Sequence, residues 1–61
     1  MVYAVDYDAK TKTLEVVFTK GGVFAYSDVP QSEYRNLMKS NSIGSYMRLC
    51  IIGVYQEHKL N

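Results

Sequence analysis

The residues of this chain best suited to chemistry are its one cysteine, Cys50, and its one histidine, His58. A thiol and an imidazole can form a nucleophile–base pair or supply ligands to a metal ion. A protein metal site needs more converging ligands than these, and the chain has no further cysteine or histidine. Free cysteine is commonly buried, and His58 falls in a polar tail. We therefore predict that neither residue is catalytic or a metal ligand, and that the chain binds no metal and no cofactor.

A pair of aspartates, Asp6 and Asp8, is the second candidate for chemistry, because residues two apart share one face of a strand. General acid–base catalysis needs two carboxylates in environments that separate their pKa values. A strand end beside a turn offers water on every side. Turn formation, with the Asp8 carboxylate accepting backbone N–H groups, is the better interpretation, and we predict that the chain is not an enzyme.

Composition describes one small globular domain over residues 1–61, with 48% hydrophobic and 21% charged residues. The net charge of +1 lacks the basic excess of strong nucleic-acid binders. A single cysteine excludes an internal disulfide and favours a reducing compartment. The first residues do not resemble a signal peptide, and no apolar run approaches the ~20 residues of a membrane span. We expect a cytoplasmic protein without a membrane segment.

Three runs of alternating or β-branched residues predict three strands. They cover Tyr3–Tyr7, Thr13–Thr19 and Val23–Tyr26. The polar stretch Asp8–Lys12 joins the first two, and Lys20-Gly21-Gly22 gives the tightest turn signal in the chain. The short connections predict an antiparallel meander.

The loop length in the second hairpin decides which face its aromatic residues occupy. A three-residue loop of Lys20–Gly22 pairs Thr19 with Val23 and sets Phe18 opposite Phe24. The apolar face then contains Leu14, Val16, Phe18, Phe24 and Tyr26. A two-residue loop moves Phe24 and Tyr26 to the other face, where they could stack on nucleic-acid bases. We favour the first register, because so small a domain cannot leave this many large side chains in water. We expect Tyr3 and Tyr7 to be half-buried on the same face.

The residues after the strands predict two short helices. Asp28 is a plausible cap for the first, Pro30 suits its first turn, and Glu33 favours the helix dipole. Its apolar stripe is formed by Tyr34, Leu37 and Met38.

The second helix is predicted over Ile43–Ile52, with Ser42 as its cap and Gly53 as its stop. Its stripe consists of Ile43, Tyr46, Met47, Cys50, Ile51 and Val54. A short closing strand over Ile51–Val54 is the alternative. The tail Gln56–Asn61 is expected to fray. The predicted fold is α+β: a three-stranded antiparallel β-meander followed by two short helices packed on one face.

The order of these residues resembles the KTSC domain family over nearly the whole chain. The residues that carry the resemblance are Tyr7-Asp8, Thr11, Thr13-Leu14-Glu15-Val16, Phe18, Gly21-Gly22-Val23, the pair Phe24-x-Tyr26, Val29-Pro30 and Tyr34, followed by Ser42, Gly44, Tyr46, Ile51 and Tyr55. Phe24, Met47 and Arg48 depart from the family's tyrosine, phenylalanine and asparagine. The family occurs at the carboxyl end of some lysyl-tRNA synthetases and as stand-alone bacterial proteins. The resemblance therefore implies RNA binding as one expectation.

Leu49 and Ile52 lie off the apolar stripe of the second helix and, with Val54, are expected to face solvent in part. Exposed apolar patches on small proteins often mark partner surfaces. We therefore predict a non-catalytic module that binds a protein partner or self-associates through Leu49, Ile52 and Val54. The alternative is that a closing strand or the tail covers these residues.

RNA binding is the second functional hypothesis. Arg35, Lys39 and Arg48 lie on the two predicted helices and could contact phosphates. Acidic residues are interleaved with the basic ones along the chain, which favours an ordinary solvated surface.

Overall fold

The computed structural model describes all 61 residues and shows one antiparallel sheet with two helical segments. The elements in chain order are β1 (Val2–Asp8), β2 (Thr13–Phe18), β3 (Gly22–Tyr26), α1 (Gln31–Lys39), α2 (Ile43–Tyr46), a π-helical segment (Met47–Ile51) that directly continues α2, and β4 (Glu57–Lys59). The strand order in the sheet is β1-β2-β3-β4. The predicted α+β fold with its meander and two helices is confirmed, and a short fourth strand extends the sheet.

The β2–β3 hairpin keeps the predicted faces but not the predicted partners. Val16 lies opposite Phe24 and Leu14 opposite Tyr26, two residues away from the predicted register. The three-residue loop is residues 19–21, and Gly22 already belongs to β3 with a φ of 92°. Because side chains alternate with a period of two, a slip of two residues leaves each side chain on its face. Leu14, Val16 and Tyr26 are accordingly buried.

β1 contains an irregularity that overturns the expectation for Tyr3. Val2 pairs with Phe18 and Ala4 with Val17, so Tyr3 is the extra residue of a β-bulge. Val2 thereby packs on the core, whereas Tyr3 is 76% exposed. Tyr7, beyond the bulge, is half-buried as predicted.

The tail predicted to fray instead forms β4, which pairs with β3 through Phe24–Lys59 and Tyr26–Glu57. The predicted alternative, a closing strand at Ile51–Val54, is also wrong, because the strand begins at Glu57. Side chains stabilise this pairing. The Tyr26 hydroxyl donates to the Glu57 carboxylate at 2.9 Å, and the Lys59 ammonium lies 5.9 Å from the centre of the Phe24 ring.

α1 begins after Pro30, which occupies the N-cap position without any side-chain cap. The prediction that Asp28 caps the helix is therefore wrong, and Asp28 instead adopts a left-handed conformation with a φ of 57°. Leu37 is fully buried on the inner side of α1. Met38, predicted in the same stripe, is 46% exposed.

The second helical segment covers residues 43–51, within one residue of its predicted range. The Ser42 hydroxyl caps it by accepting the Ser45 N–H at 3.2 Å, as predicted. Its last five residues are π-helical, and the Ile52 N–H donates to the Met47 carbonyl at 2.7 Å. Gly53 follows with a φ of 83° and so ends the helix in the way the sequence predicted.

The core lies between the helices and one face of the sheet. It consists of Leu14, Val16, Tyr26, Val29, Leu37, Met47 and Ile51. The other face of the sheet carries Asp6, Glu15 and His58, which are all exposed, and is covered by neither helix. Asp6 and Glu15 alternate with inward-facing residues along β1 and β2, and His58 lies opposite Ala25, which alternates with Phe24 and Tyr26 along β3. None of the helices has the length and hydropathy needed to span a membrane.

Gly22→Ala is expected to destabilise the fold more than Gly53→Ala. Both glycines have a positive φ, which costs an L-residue about 1–2 kcal/mol. A Cβ at Gly53 meets nothing, whereas one at Gly22 collides with the Asn61 carbonyl oxygen. Urea unfolding should therefore show a loss of about 1 kcal/mol for Gly53→Ala and of about 2 kcal/mol or more for Gly22→Ala. Equal losses would contradict the contact between β3 and the carboxyl terminus, and removal of residues 60–61 should abolish the difference.

Candidate functional site

Three apolar side chains at the end of the second helical segment face solvent. Leu49 is 73%, Ile52 42% and Val54 64% exposed. Met47 and Ile51 of the same segment are fully buried and therefore turn the opposite side of the segment toward the core. The chain after Gly53 leads away to β4, which pairs with β3 and leaves the three residues uncovered. These three residues are called the Leu49 surface below.

The three basic residues considered for RNA contacts are all exposed. Arg35 and Lys39 are four residues apart on α1 and so lie on one side of that helix. Arg48 lies on the π-helical segment, one residue after the buried Met47. The basic side chains are thus divided between two helices.

A carboxylate shared by two tyrosines joins the helices and was not predicted from the sequence. Glu33 of α1 accepts hydrogen bonds from the Tyr46 hydroxyl and from the Tyr55 hydroxyl, the latter at 3.0 Å. Tyr46 ends α2, and Tyr55 lies in the segment before β4. For Glu33 the sequence predicts only a favourable interaction with the helix dipole. The available signal was that Tyr46 lies on the helix stripe, where a buried ring still needs a partner for its hydroxyl.

The Glu33 carboxylate favours the protonated form of both phenols. Its hydrogen bond to Tyr46, together with partial burial, raises the pKa of Tyr46 to about 12. Burial, followed by the hydrogen bond to Glu33, also raises the pKa of Tyr55. Burial raises the pKa of Tyr26 as well, and its hydrogen bond to Glu57 adds to the effect. Because two hydroxyls donate to one carboxylate, the Glu33 cluster (Glu33, Tyr46 and Tyr55) joins α1 to the second helical segment and to the chain before β4.

Cys50 and His58 lie in different layers of the molecule. Cys50 is half-buried on the helical segment. His58 pairs with Ala25, whose side chain alternates with those of Phe24 and Tyr26 and so lies on the uncovered face of the sheet. The sheet therefore separates the thiol from the imidazole.

The two aspartates lie on the uncovered sheet face, where Asp6 is directly opposite Glu15. The Asp8 carboxylate accepts the Lys10 N–H at 2.9 Å, which confirms its predicted role in the turn. No three or more histidine, cysteine, aspartate or glutamate side chains are arranged to hold a metal ion.

Comparison with known proteins places this small α+β domain in a family. The pattern of the KTSC domain matches residues 1–55, so the chain belongs to the KTSC domain family. A crystal structure of a KTSC domain protein from Yersinia pestis is 27% identical, with a TM-score of 0.96 over 98% of this chain and 84% of that one. A search of curated proteins gave no match.

Most residues that carry the family resemblance have structural roles here. Ser42 caps the second helical segment, and Tyr46 and Tyr55 donate to Glu33. Two of the three departures also lie in or beside the core: Met47 is buried, and Phe24 packs edge-on against Phe18 with ring centres 5.7 Å apart. The third departure, Arg48, is exposed.

Tyr46→Phe is expected to make stability less dependent on pH in the alkaline range. The folded pKa of Tyr46, about 12, lies above its ordinary value of 10.0, so the unfolded chain releases this proton first. Its contribution to the free energy of unfolding is complete below about pH 10 and is lost as the pH rises through about 12. Urea unfolding at a series of pH values from 9 to about 12 should show a shallower decline for Tyr46→Phe than for the wild type.

Tyr3→Phe is the control for this titration, because Tyr3 is exposed and lies outside the Glu33 cluster. It should leave the decline unchanged. Part of the decline should also persist in Tyr46→Phe, since Tyr26 and Tyr55 have raised pKa values too. An unchanged decline in Tyr46→Phe would show that Glu33 does not hold this phenol.

Proposed function

We propose that this chain is a non-catalytic interaction module that binds a protein, with a second copy of itself as the first candidate partner. The observation that carries the proposal is the Leu49 surface: three apolar side chains within six residues of the chain are exposed at one end of the second helical segment. Groups of exposed apolar side chains on a small protein often mark interaction sites. A protein partner removes them from water, and a reducing, cytoplasmic environment fits the single free cysteine.

The small core supports the same proposal. Only 8 of 61 residues are buried. A chain of this size has little hydrophobic stabilisation to spare, and natural domains of this length often gain stability from oligomerisation. Leaving Leu49 and Val54 in water is unfavourable for an isolated domain, whereas an association surface uses both.

The surface chemistry favours a protein over RNA. The two aromatic residues of β3 that could stack on bases are taken up by the fold, since Tyr26 is buried and Phe24 is half-buried on the covered face of the sheet. The net charge is only +1. RNA binding through Arg35, Lys39 and Arg48 is therefore the alternative function, and the pull-down experiment can detect it.

Leu49→Glu/Ile52→Glu is expected to abolish self-association. Sedimentation velocity over a concentration series should show the wild type shifting toward a dimer at high concentration, because association buries the Leu49 surface. Two carboxylates on this surface oppose that burial, so the variant should remain a monomer.

Leu60→Glu is the control, since it replaces one exposed apolar side chain outside the Leu49 surface by a carboxylate. It should associate like the wild type. A wild type that is monomeric at every concentration would overturn self-association. Equal weakening by Leu60→Glu would show that the effect is one of net charge.

A pull-down with the wild type and with Leu49→Glu/Ile52→Glu separates protein from RNA partners. Captured proteins should survive nuclease treatment of the lysate and be lost with the double variant. Loss on nuclease treatment, together with loss in an Arg35→Gln/Lys39→Gln/Arg48→Gln variant, would replace the proposal with RNA binding. In that case the binding of a labelled RNA should weaken steeply with salt, because phosphate contacts release counterions.

A further inference from the structure

A groove of about 550 Å³ lies along the free edge of β1, at its amino-terminal end. Residues 1–5 form one wall, and residues 40–44, which lead from α1 into α2, form the other. No residue of β2, β3 or β4 lines the groove, so it opens beyond the edge of the sheet. Val2, Val5 and Ile43, all half-buried, make its walls largely apolar.

The strand beside this groove has an unpaired edge. β1 pairs with β2 alone, and no backbone hydrogen bond from a turn or loop ends on residues 2–8. Alternate residues of such a strand direct their N–H and C=O groups outward, where another extended chain can pair with them. The bulge is confined to the start of β1, so the backbone from Ala4 to Asp8 keeps a regular register. No lysine or proline protects this edge.

Gly44 in the opposite wall has no role in the fold that requires glycine. It lies inside α2 without a positive φ, and a Cβ built on it meets nothing within 4 Å. Glycine within a helix costs about 0.5–1 kcal/mol relative to alanine. A missing side chain at the wall of a groove allows another chain to approach the backbone closely.

The charges along β1 specify what kind of chain fits. Asp6 and Asp8 are exposed on the uncovered face of the sheet, and Glu15 lies directly opposite Asp6. A strand added to β1 sends every second side chain to the uncovered face, which is acidic beside Asp6 and Asp8, and the intervening ones to the opposite face, toward the groove that lies beside residues 1–5. Basic side chains complement the acidic face, and apolar side chains complement the groove.

We propose that β1 is a docking edge for an extended peptide segment with alternating basic and apolar residues, which joins the sheet as a strand beside β1. Main-chain hydrogen bonds supply the affinity, and the groove and the aspartates select the side chains. This site is separate from the Leu49 surface and does not depend on it.

The test measures binding of a fluorescein-labelled, end-capped peptide of alternating lysine and valine by fluorescence anisotropy. Two further versions of the peptide are N-methylated on alternate residues: one version on every lysine, the other on every valine. Only one set of amides pairs with β1, so one version should lose binding by about tenfold or more and the other should retain it. A peptide of alternating glutamate and valine should bind at least about tenfold more weakly than the lysine peptide, because it meets Asp6 and Asp8 with like charge.

Variants of the protein locate the site. Gly44→Leu fills the groove and should weaken binding by about tenfold, whereas Gly44→Ala should raise stability through helix propensity, which shows that the position tolerates a side chain. Asp6→Asn/Asp8→Asn should weaken binding and reduce its dependence on salt. Leu49→Glu should bind the peptide like the wild type, so failure of the Leu49 surface and failure of the β1 edge remain distinguishable.

Three results would overturn the proposal. The first is no binding of the lysine peptide. The second is equal binding of both N-methylated versions, which would show electrostatic attraction without strand pairing. The third is binding that is unaffected by Gly44→Leu, which would place the peptide elsewhere on the protein.

Discussion

The fold depends on how the chain crosses from the sheet to the helices, and Val29 fixes this crossing. Its side chain is fully buried, and its backbone is held on both sides. The Val29 N–H donates to the Lys12 carbonyl at 2.9 Å, and the Val29 carbonyl accepts the Tyr7 hydroxyl at 2.6 Å. Tyr7 in turn stacks on Tyr34 of α1, with ring centres 4.7 Å apart. The first hairpin, the crossing and α1 are therefore fixed together, and this places α1 over the sheet.

The sequence predicted those features that depend on side-chain period or on local backbone chemistry. The alternation in β2 identified the core face. The predicted pairing with β3 was wrong by two residues, but the face assignment stayed correct because side chains in a strand alternate with a period of two. Ser42 and Gly53 were recognised because capping and left-handed backbone favour those residue types wherever they occur. Leu49 and Ile52 were recognised from the same periodicity, because both lie off the apolar stripe of the second helix.

Features that arise from contacts distant in sequence were missed. Residues 57–59 have no strand pattern of their own, and they become β4 because β3 offers them an unpaired edge, to which the Tyr26–Glu57 hydrogen bond adds. The Glu33 cluster joins three segments, none of which indicates the other two. The groove along β1 depends on where α1 ends relative to the sheet, and that position is set by the crossing at Val29.

The two sides of the β1–β3 meander differ in how their backbone groups are covered. β4 occupies the edge of β3, and the carboxyl-terminal residues extend this protection, since the Val23 N–H donates to the Asn61 carbonyl and the Val23 carbonyl accepts the Leu60 N–H. β1 has no such cover. The large aromatic side chains of the inner sheet face, Phe18, Phe24 and Tyr26, are meanwhile committed to the core and its margin. β4 is itself the other edge of the sheet, but it is only three residues long, and very short edge strands offer little backbone for pairing. The two surfaces that we propose for binding, the hydrogen-bonding edge at β1 and the apolar surface at Leu49, therefore require chemically different partners.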